Sequence, residues 1–457
     1  MTLTVVKNRD KKNNRDPSSI MSENRRVVIT GLGIASPIGC DVDSFWSALQ
    51  KGQSGVEQIQ RIAADNLTTQ IGGEVHDFTG AIEDYGELDK SQKRSIKKNS
   101  KVMCREIEMG VAVAQKSLQH AGIGAGMLDP DRTGVIYGCD YIMTEPFEFQ
   151  DAVANCMDEG KGFDYGQWGE QGIPQVNPLW LLKYLPNMPA SHIAIYNDFR
   201  GANNSITLRE ASSNLAIAEA FCTIRRGAAD AMVTGATGTR MHPIRSIHTA
   251  IQEPLATSED PRTASRPFDS GRSGQVIAEG AGAVVLEEIE HARQRGGTIL
   301  GEVAGYGSSA VVSKDREVDL EQAFVNSITT ALRSAGMQPA DVGHVSAHGL
   351  SSLTCDRAEA RAIARIFDQE GRKVPVVAPK SYFGNIGAGG GTVELSASVL
   401  SLNHGKLFKT LNYDDPDPEC PIHVVSQEGV DAGDSFISLS TSPFGQASAI
   451  VVKKFAA

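Results

Sequence analysis

Buried-strand patterns alternate with helical patterns along most of this chain, and that alternation constrains its fold more than any other feature. R-V-V-I-T-G-L-G from Arg26 reads as a buried strand, because a short apolar run without polar alternation has both faces covered. Similar runs recur at Gly134 to Tyr137, Ala231 to Thr234, Ala283 to Leu286, Gly343 to Ala347, Val374 to Ala378, Phe436 to Leu439 and Ala449 to Val452. Helical patterns lie between them at Asp41 to Lys51, 101–121, 211–226, 319–335, 356–369 and 392–404. Such alternation predicts an α/β layered fold. Ala283–Glu287 and Ala449–Lys453 each end a glycine-rich passage, as the closing strands of a duplicated unit would.

The chain has 457 residues, enough for two ordinary domains or one large one. Its net charge of −11 argues against nucleic-acid binding by bulk electrostatics. No apolar run approaches the ~18 residues of a membrane span, and no signal-peptide core lies near the start, so the expected location is cytoplasmic. Residues 1–25 are polar and aperiodic and read as a disordered tail, with Met21 a second candidate start. The seven cysteines, Cys40, Cys104, Cys139, Cys156, Cys222, Cys355 and Cys420, are scattered without a C-x-x-C pair. They read as buried reduced thiols, with neither a disulfide framework nor a metal site expected.

Four segments carry polar or glycine-rich loops after strands, the usual place for functional residues. The first is L-R-E-A-S-S-N, where Glu210 stands at the N-terminus of the helix expected over 211–226. Helix N–H groups and the macrodipole favour negative charge there, and an enzyme can use them to stabilise a thiolate. The second, V-S-A-H-G-L-S-S, delivers His348 into a loop; the third, A-P-K-S-Y-F-G-N-I-G-A-G-G-G-T-V-E, presents Lys380, Asn385 and Glu394. The fourth is S-T-S-P-F-G-Q-A, a tight loop around Phe444 and Gly445. Singly, each is explained as well by turn chemistry or a structural histidine as by catalysis.

Taken together, and with N-M-P-A-S-H-I at Asn187 and R-P-F-D…R-x-G…E-G-A-G-A-V-V-L-E-E from Arg266 to Glu288, the chain resembles the elongating-type β-ketoacyl-acyl carrier protein synthases. The likeness runs from Arg26 to Phe455. It implies a thiolase-like, five-layered αβαβα duplication and a dimer, with one half over 26–288 and the other over 289–457. In that family a cysteine at the position of Glu210 carries the acyl group, and two histidines at the positions of His348 and Asn385 assist decarboxylation of malonyl-carrier protein. The residues matching Lys380 and Glu394 organise the site. Backbone N–H groups at Glu210 and Phe444 would form an oxyanion hole, with Gly445 in the same gating loop. No cofactor is implied beyond the carrier protein's phosphopantetheine arm, which would lie against Ser352 and Leu350.

The departures cluster at the site. Glu210 replaces the cysteine, Asn385 a histidine, Leu350 a threonine and Gln446 a glycine, while Cys139-Asp140-Tyr141 lacks the usual glycine-rich pattern. His348, Lys380, Glu394, Asp356, Glu359 and Phe444 are kept. Without a thiol, storage of an acyl group is lost. Cys222 lies three helical turns downstream, roughly 18 Å away at ~1.5 Å per residue, and cannot substitute.

Three functions follow from the resemblance. The first is a non-condensing subunit, like a chain-length factor, paired with a cysteine-containing ketosynthase. The alternative is a malonyl-carrier-protein decarboxylase, in which His348 and the amide N–H of Asn385 stabilise the enolate; ordinary 3-oxoacyl synthesis comes last. A neutral Glu210 would suit decarboxylation and a charged one the silent subunit. Partners are then acyl carrier protein and either a second copy or a ketosynthase. The basic run Lys90 to Lys101 reads as a solvated helix face. It falls where related synthases dock carrier protein, with Arg94, Lys97 and Lys98 the matching positions.

Overall fold

The computed structural model describes residues 25–455, apart from 66, 159, 161 and 369–372. The expected tail over 1–24, with Met21, lies outside these; Arg25 is placed, and its guanidinium pairs with Asp230 at 2.5 Å.

The strands form one long mixed sheet built from two halves. From the middle outward, the N-terminal half runs Val27–Ala35, Ile277–Glu288, Ala231–Thr239, Thr133–Cys139, Asn203–Ile206. The C-terminal half runs Gly301–Ala310, Gln446–Lys453, Ser435–Thr441, His344–Ser346, Pro375–Val377, with the short His423–Val424 beyond. Counted by chain order within each half, both read first, fifth, fourth, second, third. Strand directions also match: the middle strand of the first three is antiparallel to both its neighbours, and the outer pairs are parallel. The halves join where Val27–Ile29 pairs with Gly301–Val303.

Helices sort into three layers around this duplicated sheet. Ser212–Arg225 and Gly390–His404 lie between the halves and touch strands of both. Gly390–Leu402 is buried throughout, as a helix with no solvent face must be. Arg105–His120 covers the outside of the N-terminal half, and Leu320–Ala335 with Leu353–Phe367 covers the C-terminal half. The result is the five-layered αβαβα arrangement expected from the sequence. Among the described residues no helix is long and apolar enough to cross a membrane. All seven cysteines are free; Cys104 and Cys222 are only half-buried.

The first strand of each half carries G-x-G where an outer helix crosses. A Cβ at Gly33 would overlap the carbonyl oxygen of Val113, and one at Gly307 that of Ser327. Missing side chains let helix backbone rest directly on strand backbone in both halves.

Several elements differ from their expected bounds. The helix expected over 356–369 starts at Leu353 and ends at Phe367, and residue 369 lies outside the described residues. The helix expected over 392–404 starts at Gly390, since burial overrides the low helix propensity of Gly390 and Gly391. Strand Gly301–Ala310 was not expected; its G-E-V-A-G-Y-G-S-S-A sequence lacks a long apolar run. Helices Met188–Asn197 and Pro243–Gln252 were also unexpected.

The glycine contact yields a direct test. Gly307→Ala should destabilise by roughly 1–3 kcal/mol, the usual cost of overpacking, and Gly33→Ala by a similar amount. Denaturant midpoints measure it; an unchanged midpoint in both would show that the helices do not rest on these strands as described.

Candidate functional site

Glu210 lies in a 3-10 turn, Arg209–Ala211, that leads directly into helix Ser212–Arg225. Arg209 adopts φ +55, an uncommon conformation for a residue with a side chain. It is held there by hydrogen bonds to Gln252 at 2.8 Å and Glu253 at 3.1 Å. From the neighbouring half, the Ser440 hydroxyl donates to the Glu210 carbonyl at 2.7 Å. The bend thus aims the Glu210 side chain inward, where it is 3% exposed.

His348 follows strand His344–Ser346, and its loop is organised by two buried carboxylates on helix Leu353–Phe367. Glu359 accepts the N–H groups of His348 at 2.6 Å and Gly349 at 2.8 Å. Asp356 accepts those of Leu350 at 2.9 Å, Ser352 at 3.2 Å and, from a distant loop, Phe268 at 2.9 Å. Lys380 donates to the His348 carbonyl at 2.8 Å, faces its Nδ1 at 3.2 Å and pairs with Glu394 at 2.6 Å. Burial, with the Lys380 charge beside it, holds the imidazole well below its usual pKa, although Glu210 opposes this. His348 is therefore neutral. An ammonium at Nδ1 requires a lone pair there, which leaves the proton on Nε2.

Asn385 is close to Glu210 but its amide hydrogens are occupied. Nδ2 donates to Glu210 at 3.0 Å and to the Gln275 side-chain oxygen at 2.5 Å, while Oδ1 accepts from Gly387 N–H at 3.0 Å. This corrects the expectation that Asn385 would offer a free N–H to an enolate.

The charge on Glu210 is settled by its neighbours. Burial favours the neutral acid, but Arg240 in direct contact, Arg209 and the Asn385 hydrogen bond together hold the carboxyl well below the usual range. Glu210 is a carboxylate. Arg240, which follows strand Ala231–Thr239, is fully buried and starts a ladder of charges. Its guanidinium lies 3.9 Å from Asp140; Asp140 contacts Arg245, and Arg245 lies 3.9 Å from Glu106. Burial pushes Glu106 up to about 8 against the pull of Arg245, so the last acid is protonated at neutral pH.

A cavity of about 190 Å³ opens on Glu210 and His348 and is also lined by Gln275, Leu350, Ser352 and Cys355. Cys355 is the only thiol on its wall among the described residues. Burial, reinforced by Asp356 and Glu359 and opposed by Lys380, holds that thiol well above its ordinary range, so it is no activated nucleophile. Thr441, Ser442 and Pro443 complete the wall. Beyond them Phe444 is exposed, with the Arg209 guanidinium 5.7 Å from its ring centre, and Gly445 takes φ +84 to turn the chain. Gln446 points away and donates to Ser308 at 2.7 Å.

Arg94, Lys97 and Lys98 do not line this cavity. They are exposed on helix Lys90–Asn99, anchored by buried Ile96, and none has an ion pair among the described residues. Elsewhere, the ligand atoms of Glu57, Glu74 and His76 lie within 4.8 Å of one another. The Glu74 carboxylate already accepts the N–H groups of Gln60 and Arg61, and His76 is paired with Glu57, so this group does not present a free ligand set. Sequence reasoning missed Arg240, Arg245, Glu106 and Gln275. The available signal was a lone arginine ending the otherwise uncharged A-M-V-T-G-A-T-G-T strand.

Comparison with known proteins places this geometry. Residues 24–292 match the family model described as Beta-ketoacyl synthase, N-terminal domain, and residues 300–414 its C-terminal domain. The 3-oxoacyl-[acyl-carrier-protein] synthase 2 of Staphylococcus aureus (strain COL) is 31% identical over 439 residues, covering 96% of this chain and 100% of that protein. A type II polyketide ketosynthase, solved with its acyl-carrier protein and bound to the hexaketide, aligns with a TM-score of 0.78 at 25% identity, covering 94% of this chain and 100% of that one. The ishigamide ketosynthase/chain length factor aligns with a TM-score of 0.77 at 23% identity, over 94% and 100% of the chains, a likeness of fold.

Two expected outcomes test the electrostatics. Glu210→Gln strands Arg240 and should cost on the order of 3–5 kcal/mol, as breaking a buried pair does. Adding Arg240→Met should recover most of it, and the two urea midpoints measure both effects. Glu106 is raised, so its contribution is full below the unfolded carboxylate pKa of ~4.3. It is lost as pH rises towards about 8. Glu106→Gln should therefore leave the melting temperature nearly unchanged at pH 4.5 and raise it, relative to the natural chain, at pH 8.5. Parallel melting curves for the two proteins would refute the shift.

Proposed function

The chain belongs to the beta-ketoacyl synthase family, and we propose that it acts there as a non-condensing subunit paired with a cysteine-containing ketosynthase. It is a beta-ketoacyl synthase homologue in fatty-acid or polyketide biosynthesis. One observation carries the proposal: the nucleophile's place holds a buried carboxylate neutralised by Arg240. A carboxylate there cannot store an acyl chain as a thioester, and the wall thiol, Cys355, is protonated.

Malonyl decarboxylation keeps one point in its favour, the intact His348–Lys380–Glu394 arrangement. Against it, the Asn385 donors are spent, and ionised Glu210 would repel a malonyl carboxylate. The subunit reading also gains from the surface. Edge strand Asn203–Ile206 is uncharged and partly exposed, with no pairing on its outer side among the described residues. Exposed Ile195 lies on the helix packed against this strand, exposed Leu208 follows it, and helix Pro243–Gln252 carries exposed Ile244, Ile247 and Ile251. Arg209 ties that helix's end beside Leu208. An open edge flanked by apolar side chains suits strand addition by a partner of the same fold. In such a pair, Arg94, Lys97 and Lys98 would steer an acidic carrier protein, in a salt-dependent way.

Co-expression with a cysteine-containing ketosynthase from the same genome should give a one-to-one complex by native mass spectrometry. Purified alone with malonyl-carrier protein, the chain should form no acetyl-carrier protein above background. A stable homodimer that ignores every such ketosynthase would sink the subunit reading, and robust acetyl-carrier protein formation would replace it with the decarboxylase.

A further inference from the structure

Beyond the Arg240 contact with Glu210, the charge ladder has no role in the function proposed above, yet it is built from four separate elements. Arg240 follows strand Ala231–Thr239, Arg245 lies in helix Pro243–Gln252, Asp140 follows strand Thr133–Cys139, and Glu106 is in the first turn of helix Arg105–His120. All four are at most 1% exposed. Nε and Nη1 of Arg240 have no hydrogen-bond partner among the described residues. Buried ion pairs rarely repay their desolvation compared with apolar packing, and incompletely satisfied ones do worse. Stability is therefore a poor reason for the ladder, and its position suggests another.

The ladder separates two cavities. On one side is the 190 Å³ cavity at Glu210 and His348. On the other is a cavity of about 70 Å³, lined by Glu106 and Arg245 together with Arg105, Thr239, Met241 and His242. Arg240 and Asp140 line neither and stand between them. The crossing packs against the chain at Gly387, where a Cβ would lie in ordinary contact, 3.5 Å from both the Arg240 Nη2 and the Asp140 Oδ2. A charged wall of this kind rejects an alkyl chain in two ways: it fills the space, and any chain pushed in would strip partners from buried charges.

We propose that Arg240, Asp140 and Arg245 plug the interior beyond Glu210, so that the pocket admits a pantetheine arm bearing a free thiol or a two- or three-carbon acyl group and excludes longer acyl chains. The inference rests on reading the Glu210 cavity as the site of the pantetheine arm. The cavity is smaller than the ~300–1,000 Å³ of ordinary ligand sites, and an acyl group extending past Glu210 meets the ladder at once. Gln275 supplies a donor on the cavity wall. It is 1% exposed and lines the cavity, its oxygen is held by Asn385, and its Nε2 has no partner. That N–H is placed to bind the carbonyl of a short thioester.

Calorimetric titration of the purified chain with pantetheine and with non-hydrolysable amide analogues of acetyl- and octanoyl-pantetheine tests the plug. The acetyl compound should bind at least as tightly as pantetheine, and the octanoyl compound about tenfold or more weaker. The charge-balanced pair Glu210→Gln with Arg240→Met should remove most of that discrimination. Asp140→Asn with Arg245→Met is the second variant, should the first fail to fold, and the comparison on the natural chain stands without either. Octanoyl binding as tight as acetyl on the natural chain, or unchanged discrimination in a folded double variant, would overturn the proposal. Failure of all three compounds to bind would overturn it too, while leaving the subunit reading to its own co-expression result.

Discussion

The contact between Glu210 and Arg240 is the interaction on which the rest of the site depends. It fixes the charge of Glu210, consumes an amide hydrogen of Asn385 through the same carboxylate oxygen, and places a guanidinium where Asp140 must answer it. A carboxylate at a buried helix N-terminus is not a local feature. Burial works against the negative charge, and a cation in direct contact offsets it. Arg240 brings that cation, Asp140 and Arg245 extend the compensation inward, and a protonated Glu106 ends it.

The scaffold shows why such a change can be tolerated. Glu210 and Asn385 lie in the turns that lead into the central helices Ser212–Arg225 and Gly390–His404, and those helices are clamped between two halves of the sheet with the same topology. His348 and Lys380 come from the second half, with Asp356, Glu359 and Glu394 behind them. The site therefore lies where the two halves meet. Its loops are fixed by carboxylates accepting backbone N–H groups, none of which depend on the residue at position 210. That independence lets the His348 arrangement persist while the nucleophile's place changes character.

Much of the layering was legible in the sequence. Runs such as V-V-I-T-G-L-G and A-V-V-L announce doubly covered strands, and strands closing two glycine-rich passages do close the two halves. Gly301–Ala310 escaped because its contribution is close approach rather than apolar bulk: Gly305 and Gly307 make room for a helix backbone. At the site, Glu210, His348, Lys380 and Asn385 were legible as loops after strands, and the structure gathers them. Their chemistry was not. Whether Glu210 is charged depends on Arg240, thirty positions away, and whether Asn385 can donate depends on Gln275. Neither partnership has a local sequence pattern, because both form only when separate strands and loops converge.

This dependence also ranks the functions. An amide at position 210 would be neutral without help and would leave Arg240 unnecessary; a thiolate would need to keep the pocket open for its acyl chain. The carboxylate does neither. It requires a buried cation, and a buried cation requires further acids, so the polar ladder grows into the interior until Glu106 can remain protonated. The charges stay inside the molecule, away from the edge strand Asn203–Ile206 and the basic helix Lys90–Asn99. On the subunit reading proposed above, a chain whose interior is filled by buried charges beyond Glu210, with an open edge strand and a basic helix on its surface, would act beside a catalyst rather than as one.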